Sequence, residues 1–429
     1  MPTWTDIAEE DQYMVMLAPQ TALNTPGTVW EVIECNVFVP QDEQSQVDTP
    51  RGAQIFGAWM PPIPGKTWHR LALKGPVKGQ PGGYDFTTDS AALHGLSRFL
   101  EFLGGQSAIA YQGTGVELTG SDAMTVILKT TSGKMGCLLA SRDTVSGEVT
   151  HGFITSLAGG GPFTAGLHDD LGVAVTDDAG RLPTLTCYPK RAALTNVAYT
   201  VRIVFGSTNQ DRRYMNFVPT GVMRLLVEED VLMWEVPGIA LAPETYNGGD
   251  GALVALTDLL AMDAHLAASR YVLRSHDSDF GDDLLDGTVD PSGSCGIRDV
   301  ILNIDFRESF KAKGPATGGV CDNVMRAPLI TAELAVPTIA SYNEDPSPAE
   351  NILLASYKHR RNLSLSAYHG NAAGKLLAWR FPYAHLAGRP RRVFIEGVEH
   401  FVGTLRAGPW TGDGTSDDGG NKVLDIGVG

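Results

Sequence analysis

Short apolar runs broken by glycine and proline recur along almost the whole chain, and only two stretches carry a helical period. That pattern points to a mainly β fold with a few helices and mostly antiparallel pairing, because regular βαβ alternation would place a helical repeat after each strand. The 49 glycines and 25 prolines supply the turns that many short strands require.

The run at 30–38 (WEVIECNVF) alternates. Val29, Glu31, Ile33, Cys35 and Val37 share one face, and Trp30, Val32, Glu34, Asn36 and Phe38 the other. Neither face is fully polar, so one strand packed on both sides is predicted. Further strands are predicted at 68–73, 125–129, 135–139, 152–156, 199–205, 222–227, 231–236, 300–306, 330–336, 363–367, 376–381, 392–396 and 422–426. The pair at 222–227 and 231–236 flanks Glu228-Glu229-Asp230 and reads as a hairpin. Residues 40–66 show no helical period and several breakers. A loop of that length implies an interaction segment, in which Phe56, Trp59 and Met60 are the candidate contact residues.

One helix is predicted at 88–103, capped by Thr88 or Ser90, with Leu93, Leu96, Leu100 and Leu103 in one stripe and Gly104-Gly105 as its stop. A second is predicted at 251–268, with Asp250 as cap and Leu253, Leu256, Leu260 and Leu266 on one side. The order of elements divides the chain into halves of similar content, 1–238 and 239–429. The competing division is a single fold carrying an outer insertion within 106–200.

Charge narrows the function. A formal net charge of -16 argues against an extended duplex-binding patch, although an acidic surface lets DNA pass without sticking. Cys35, Cys137, Cys187, Cys295 and Cys321 are odd in number and never form Cys-x-x-Cys, which suits free thiols in a reducing compartment. The start lacks a signal-peptide pattern and no run of 18 apolar residues occurs, so no membrane span and assembly in a cytoplasm are expected.

Catalytic motifs are sparse. PPIPGKT at 61–67 ends like a phosphate loop, but Met60 stands where its first glycine belongs, and a proline-bounded turn is preferred. Neither H-E-x-x-H nor G-x-S-x-G occurs, and Gly159-Gly160-Gly161 reads as a turn. In the acidic run 276–290, Asp277, Asp279 and Asp283 could donate oxygens to a cation. Gly281 is one position early for a calcium loop and Thr288 replaces its bidentate Glu, so a solvated loop is preferred. Lys358-His359-Arg360-Arg361 and Arg389-Pro390-Arg391-Arg392 are basic clusters in an acidic chain, suited to salt pairing or to nucleic acid. His265, His276, His359, His369, His385 and His400 show no ligand spacing. The expectation is no enzyme activity, no catalytic residue, no cofactor and no metal.

The C-terminal region carries a pattern of its own. A strand at 363–367 meets the turn Gly370-Asn371-Ala372-Ala373-Gly374. A second strand at 376–381 runs into Pro382-x-Ala384, and Glu396 precedes Gly397-Val398 before the closing VLDIGVG at 423–429. This resembles the tail tube (major tail) proteins of tailed bacteriophages, and the early strands around a long loop agree. The resemblance implies a β-sandwich or half-barrel with a flanking helix, here as two tandem tube-type domains, whose sheets join across subunits into a ring-shaped barrel. It also implies stacked trimeric pseudo-hexameric or hexameric rings, a location in the virion tail, and partnership with a tape measure protein and tail terminator or tip proteins. Phage DNA would pass through the lumen non-specifically. Two other functions are carried beside this one: a tail-tip module binding a receptor or glycan, and a metal-assisted hydrolase built on 276–290.

Overall fold

A computed structural model describes residues 13–21, 25–28, 30–33, 35–38, 43–47, 63–77, 104–109, 125–128, 138–142, 149–158, 163–167, 181–182, 184–189, 198–205, 210–229, 231–241, 244–246, 269–276, 297–306, 328–337, 352–372, 375–408 and 423–429. The first strands are β1 (Tyr13–Pro19), β2 (Glu31–Ile33), β3 (Asn36–Phe38), β4 (Glu43–Val47), β5 (Ile63–Pro76) and β6 (Gly104–Ile109). Next come β7 (Thr125–Leu128), β8 (Leu138–Arg142), β9 (Val149–Ala158), β10 (Phe163–Leu167), β11 (Arg181–Leu182) and β12 (Thr184–Pro189). The middle holds β13 (Tyr199–Phe205), β14 (Gln210–Pro219), β15 (Val222–Glu228), β16 (Val231–Ala240), β17 (Glu244–Tyr246), β18 (Ser269–His276), β19 (Arg298–Asp305) and β20 (Leu329–Pro337). A helix, α1 (Ile352–His359), precedes β21 (Asn362–Ala372), β22 (Lys375–Leu386), β23 (Arg391–Ile395), β24 (Val398–Ala407) and β25 (Asp425–Val428). The protein is mainly β, and every described ladder is antiparallel.

Twenty strands form one hydrogen-bonded network. Its long run proceeds β5–β16–β15–β19–β20–β24–β22–β21–β18. A second run, β2–β1–β13–β14–β17, joins it through β14, whose last residues Val218 and Pro219 pair with β16. β14 turns this corner at Asn216, which has φ 56 and donates its N–H to Gln20 Oε1 at 3.0 Å. Gly238 lies opposite, where a Cβ would meet the Phe217 ring at 2.2 Å. Ladders also cross residue 238: β15 pairs with β19, and β12 with β25.

Alternation drives burial. β16 alternates half-buried and buried positions, placing Leu232, Trp234 and Val236 in the core. Strands of both runs contribute to one apolar cluster, from Val15, Leu17, Tyr199 and Val201 to Trp234, Leu302, Leu365 and Trp379. Burying each such side chain contributes roughly 1.5–3 kcal/mol.

The remaining strands form a separate five-stranded sheet in the order β11–β8–β9–β10–β7. It packs on the second face of β21, β22 and β25. Leu138 and Phe153 from it cluster with Val272, Tyr368 and Ala378. A Cβ on Gly427 would lie 2.6 Å from Leu138 Cβ. This covering explains why β25 is buried throughout, since neither of its faces meets water.

Several expectations need correction. The run 30–38 is two strands, because the chain changes partner at Cys35: β2 pairs with β1 and β3 with β5. Part of 40–66 is not loop, since Glu43–Val47 pairs with the start of β5. PPIPGKT is therefore not a turn: Ile63 to Thr67 are extended and hydrogen-bonded to β4. Gly104 and Gly105 begin β6, and residues 370–372 continue β21 past a bulge at Gly370, φ 83. The closing strand is 425–428, not 422–426. Strands at 13–19, 184–189, 210–219, 269–276 and 398–407, and the helix at 352–359, escaped the sequence reading. The expected helices 88–103 and 251–268 lie outside the described residues, as do Phe56, Trp59, Met60 and 277–290.

Candidate assembly rim

The ladder registers bring four features to one end of the long run: the β15–β16 turn, the start of β19, the end of β20 and the β23–β24 hairpin. Three of them, all but the end of β20, turn sharply there. In the β15–β16 hairpin Glu228 pairs with Val231, and Glu229 turns the chain at φ 47. At the start of β19 a bulge between Arg298 and Ile301 contains Asp299 at φ 50. In the second hairpin Ile395 pairs with Val398, leaving Glu396 (φ 50) and Gly397 (φ 83) as a two-residue turn. Two positive φ values match the primed turn that fits strand twist, which gives the Glu-Gly pair of the sequence its physical reason. Three of the five non-glycine residues at positive φ among those described thus sit on this rim, and strain of this kind concentrates where structure serves function.

The hairpin β23–β24 is exposed in an unusual way. Arg391, Arg392, Val393 and Phe394 are all exposed, and Phe394 reaches 73%. A strand with one buried face would show alternation, so β23 buries neither face in its own chain. It pairs with β24 on one side, and no described ladder occupies its other edge. Its base is nevertheless well held. Arg392 Nη1 lies 3.4 Å from Glu399 Oε1 and its guanidinium 5.3 Å from the Phe401 ring centroid. His400 is buried and its Nδ1–H donates to the Val398 carbonyl at 2.8 Å. At the tip the side chain of Arg298 bonds Glu396; that bond and the Arg298 charge hold the Glu396 carboxyl below the usual glutamate range.

The other hairpin carries the opposite charge. Glu228 is bonded by Lys74 Nζ at 2.7 Å, Glu229 is exposed, and Val227 is 37% exposed between them and the sheet. Among the described residues Val227, Tyr357, Val393 and Phe394 are the exposed large hydrophobics, and three of the four lie on these two hairpins.

No known family model matches the chain, and no curated protein matches it. The site is therefore read from its own chemistry. Of the two basic clusters, 389–392 contributes Arg391 and Arg392 to the exposed strand. The other, 358–361, ends α1. Arg360 adopts φ 53 and the Arg361 N–H donates to Ser356 O at 2.9 Å, a helix stop normally given to glycine. Lys358 and His359 face the negative end of the helix dipole. That accounts for this cluster without a ligand.

A second polar cluster is buried under the five-stranded sheet. Arg380 and Asp425 are 1% and 0% exposed and form a cross-strand ion pair, Nη2 to Oδ2 3.1 Å. The guanidinium stacks 5.2 Å from the Phe153 ring centroid. His151 meets Tyr368 edge-on at 4.9 Å, and His369 meets Tyr271 at 5.8 Å. Burial, with the nearby His151, pushes the His369 pKa down to about 3, so its ring is neutral. Of these contacts, Arg380 with Phe153 and His151 with Tyr368 join the cover to the main sheet. Among the described residues no group of three or more metal-ligating side chains comes together. The sequence reading named the 389–392 cluster, Glu396-Gly397 and His369 but not how they are arranged, because the open edge and the two-layer packing exist only once distant strands have paired.

Proposed function

We propose that this chain is a structural subunit, not an enzyme, that self-assembles into the stacked rings of a tailed-phage tail tube. The observation carrying the reading is β23, a strand whose second edge and whose faces are covered by none of the described residues, presenting Phe394 to solvent. Such an edge invites pairing with another chain unless a neighbour completes it. The C-terminal pattern, which resembles that of tail tube proteins, supports this kind of polymer. Its two strands, its Pro382-x-Ala384 and its Glu396-Gly397-Val398 occupy β21, β22, their bulge and the rim hairpin. Three chains of two tandem tube-type domains, or six chains, would close each ring. The tape measure protein and tail terminator or tip proteins would be its partners, and DNA would cross the acidic lumen without being gripped. The function places the protein in the virion tail.

Negative-stain microscopy of the purified full chain tests this. Stacked rings or hollow tubes are expected. A chain that remains a monomer at every concentration and salt condition, or that binds glycans with no tendency to polymerise, overturns the proposal.

A further inference from the structure

The two rim hairpins are complementary in both chemistry and place. One is basic, with Arg389 before it and Arg391 and Arg392 on its exposed strand; the other is acidic, with Glu228 and Glu229 at its tip. Each adds exposed apolar surface, Val393 and Phe394 on one and Val227 on the other. They face the same end of the sheet, yet β19 and β20 separate them. β15 and β24 are three ladder steps apart, or about 14 Å at the usual strand spacing. The basic hairpin is fixed to its own end of the sheet by the β24 ladder and by Arg298 at its tip. Within one chain the two surfaces are therefore held out of contact. Among the described residues neither Arg391 nor Glu229 has an ion-pair partner.

We propose that the basic β23–β24 hairpin of one copy docks on the acidic β15–β16 tip of a second copy of this chain. Phe394 and Val393 pack against Val227 at the centre of the contact, and Arg391 pairs with Glu229 beside them. The occupant is a second copy because the surface is basic on a chain of net charge -16, and because the complementary acidic-apolar surface is present on the same molecule. A contact between two different patches is heterologous, so each copy offers one hairpin to each neighbour. Such contacts close into a ring when the rotation permits and otherwise run on as a filament. The proposal rests on the self-assembly reading and adds to it the surfaces used within a ring. Charge sets the register of the contact and apolar burial holds it.

Charge reversal on the full chain tests the pairing by sedimentation velocity, with thermal melts of each variant as the folding control. Arg391→Glu and Glu229→Lys should each raise the concentration needed for assembly about tenfold or more, at unchanged melting temperature. The double variant, Arg391→Glu with Glu229→Lys, should return to within a few-fold of the parent. Phe394→Ser should weaken assembly without any such rescue. If the parent assembles and all single variants assemble as well as it does, this inference is wrong and the tube reading stands. If the parent never assembles, the tube reading itself has failed. Loss in both singles without recovery in the double overturns the pairing, as does retardation of duplex DNA by the parent that Arg391→Glu abolishes.

Discussion

The ion pair between Arg380 and Asp425 allows a quantitative test of what burial beneath the second layer costs the main sheet. Both side chains are almost wholly buried, on adjacent strands β22 and β25, under the sheet that contributes Phe153 and Leu138. Taking both ions out of water costs several kcal/mol each, and their attraction across 3.1 Å offsets this only while both are present. Asp425→Ala leaves a guanidinium buried without its carboxylate. The expected loss is about 3–5 kcal/mol of unfolding free energy. Arg380→Met combined with Asp425→Leu removes the desolvation cost together with the attraction, and should be neutral or stabilising by up to roughly 4 kcal/mol. The sign difference between single and double variants separates an ion-pair effect from a loss of packing volume.

Urea unfolding followed by tryptophan fluorescence suits the measurement, because Trp379 adjoins Arg380 in β22 and is itself 1% exposed. Midpoints should be compared at several protein concentrations, since any self-association would stabilise the folded chain by mass action. The slope of free energy against urea should stay constant between variants, so that only the midpoint moves. A loss under about 1 kcal/mol for Asp425→Ala, or a double variant as unstable as the single, would refute the reasoning.

Two further outcomes concern the same layer. The His369 imidazole is neutral in the fold, with a pKa of about 3 against 6.5 unfolded, so its contribution is complete above pH 6.5 and is lost as pH falls towards 3. The loss should approach about 1.4 kcal/mol per pH unit; His369→Phe should flatten the profile between pH 6.5 and 4, and parallel profiles would exclude the effect. Gly427→Ala should destabilise by roughly 1–3 kcal/mol through the clash with Leu138, and Leu138→Ala should not rescue it, because alanine keeps the Cβ that the new methyl would meet, as urea midpoints would show.

Where a strand is buried on one face, its alternation announced it. The runs 199–205 and 222–227 stand as β13 and most of β15, and the Glu228-Glu229-Asp230 hairpin is present, because local pattern and tertiary burial agree there. Legibility failed for two physical reasons. Strands such as β18 (SRYVLRSH) and β14 (QDRRYMNFVP) carry charged residues that a single-sequence period reads as loop; β18 is nonetheless fixed along its length by β21, and β14 by β13. Partner changes are silent as well: nothing in WEVIECNVF marks Cys35 as the point where the chain leaves one neighbour for another. The Glu396-Gly397 turn was visible as a pattern, but its exposure was not, since that depends on which strands β24 keeps for itself.

The rim turns carry the remaining argument. Glycine, asparagine and aspartate tolerate positive φ, whereas another side chain there costs on the order of 1–2 kcal/mol. Glu229 and Glu396 each occupy such a position with a longer carboxylate. Something beyond turn geometry must offset the strain if the acid is to be the better residue. For Glu396 that compensation is within the chain, in the Arg298 guanidinium. Glu229 has no ion-pair partner among the described residues, so none of them compensates its charge. An exposed carboxylate held in a strained turn beside an exposed valine is poor design for an isolated molecule. It becomes reasonable when an arginine from a neighbour arrives beside it. On the proposed contact, the uncompensated charge of Glu229 and the exposed surface of β23 are two halves of one interface, each a cost to the monomer that docking would reduce.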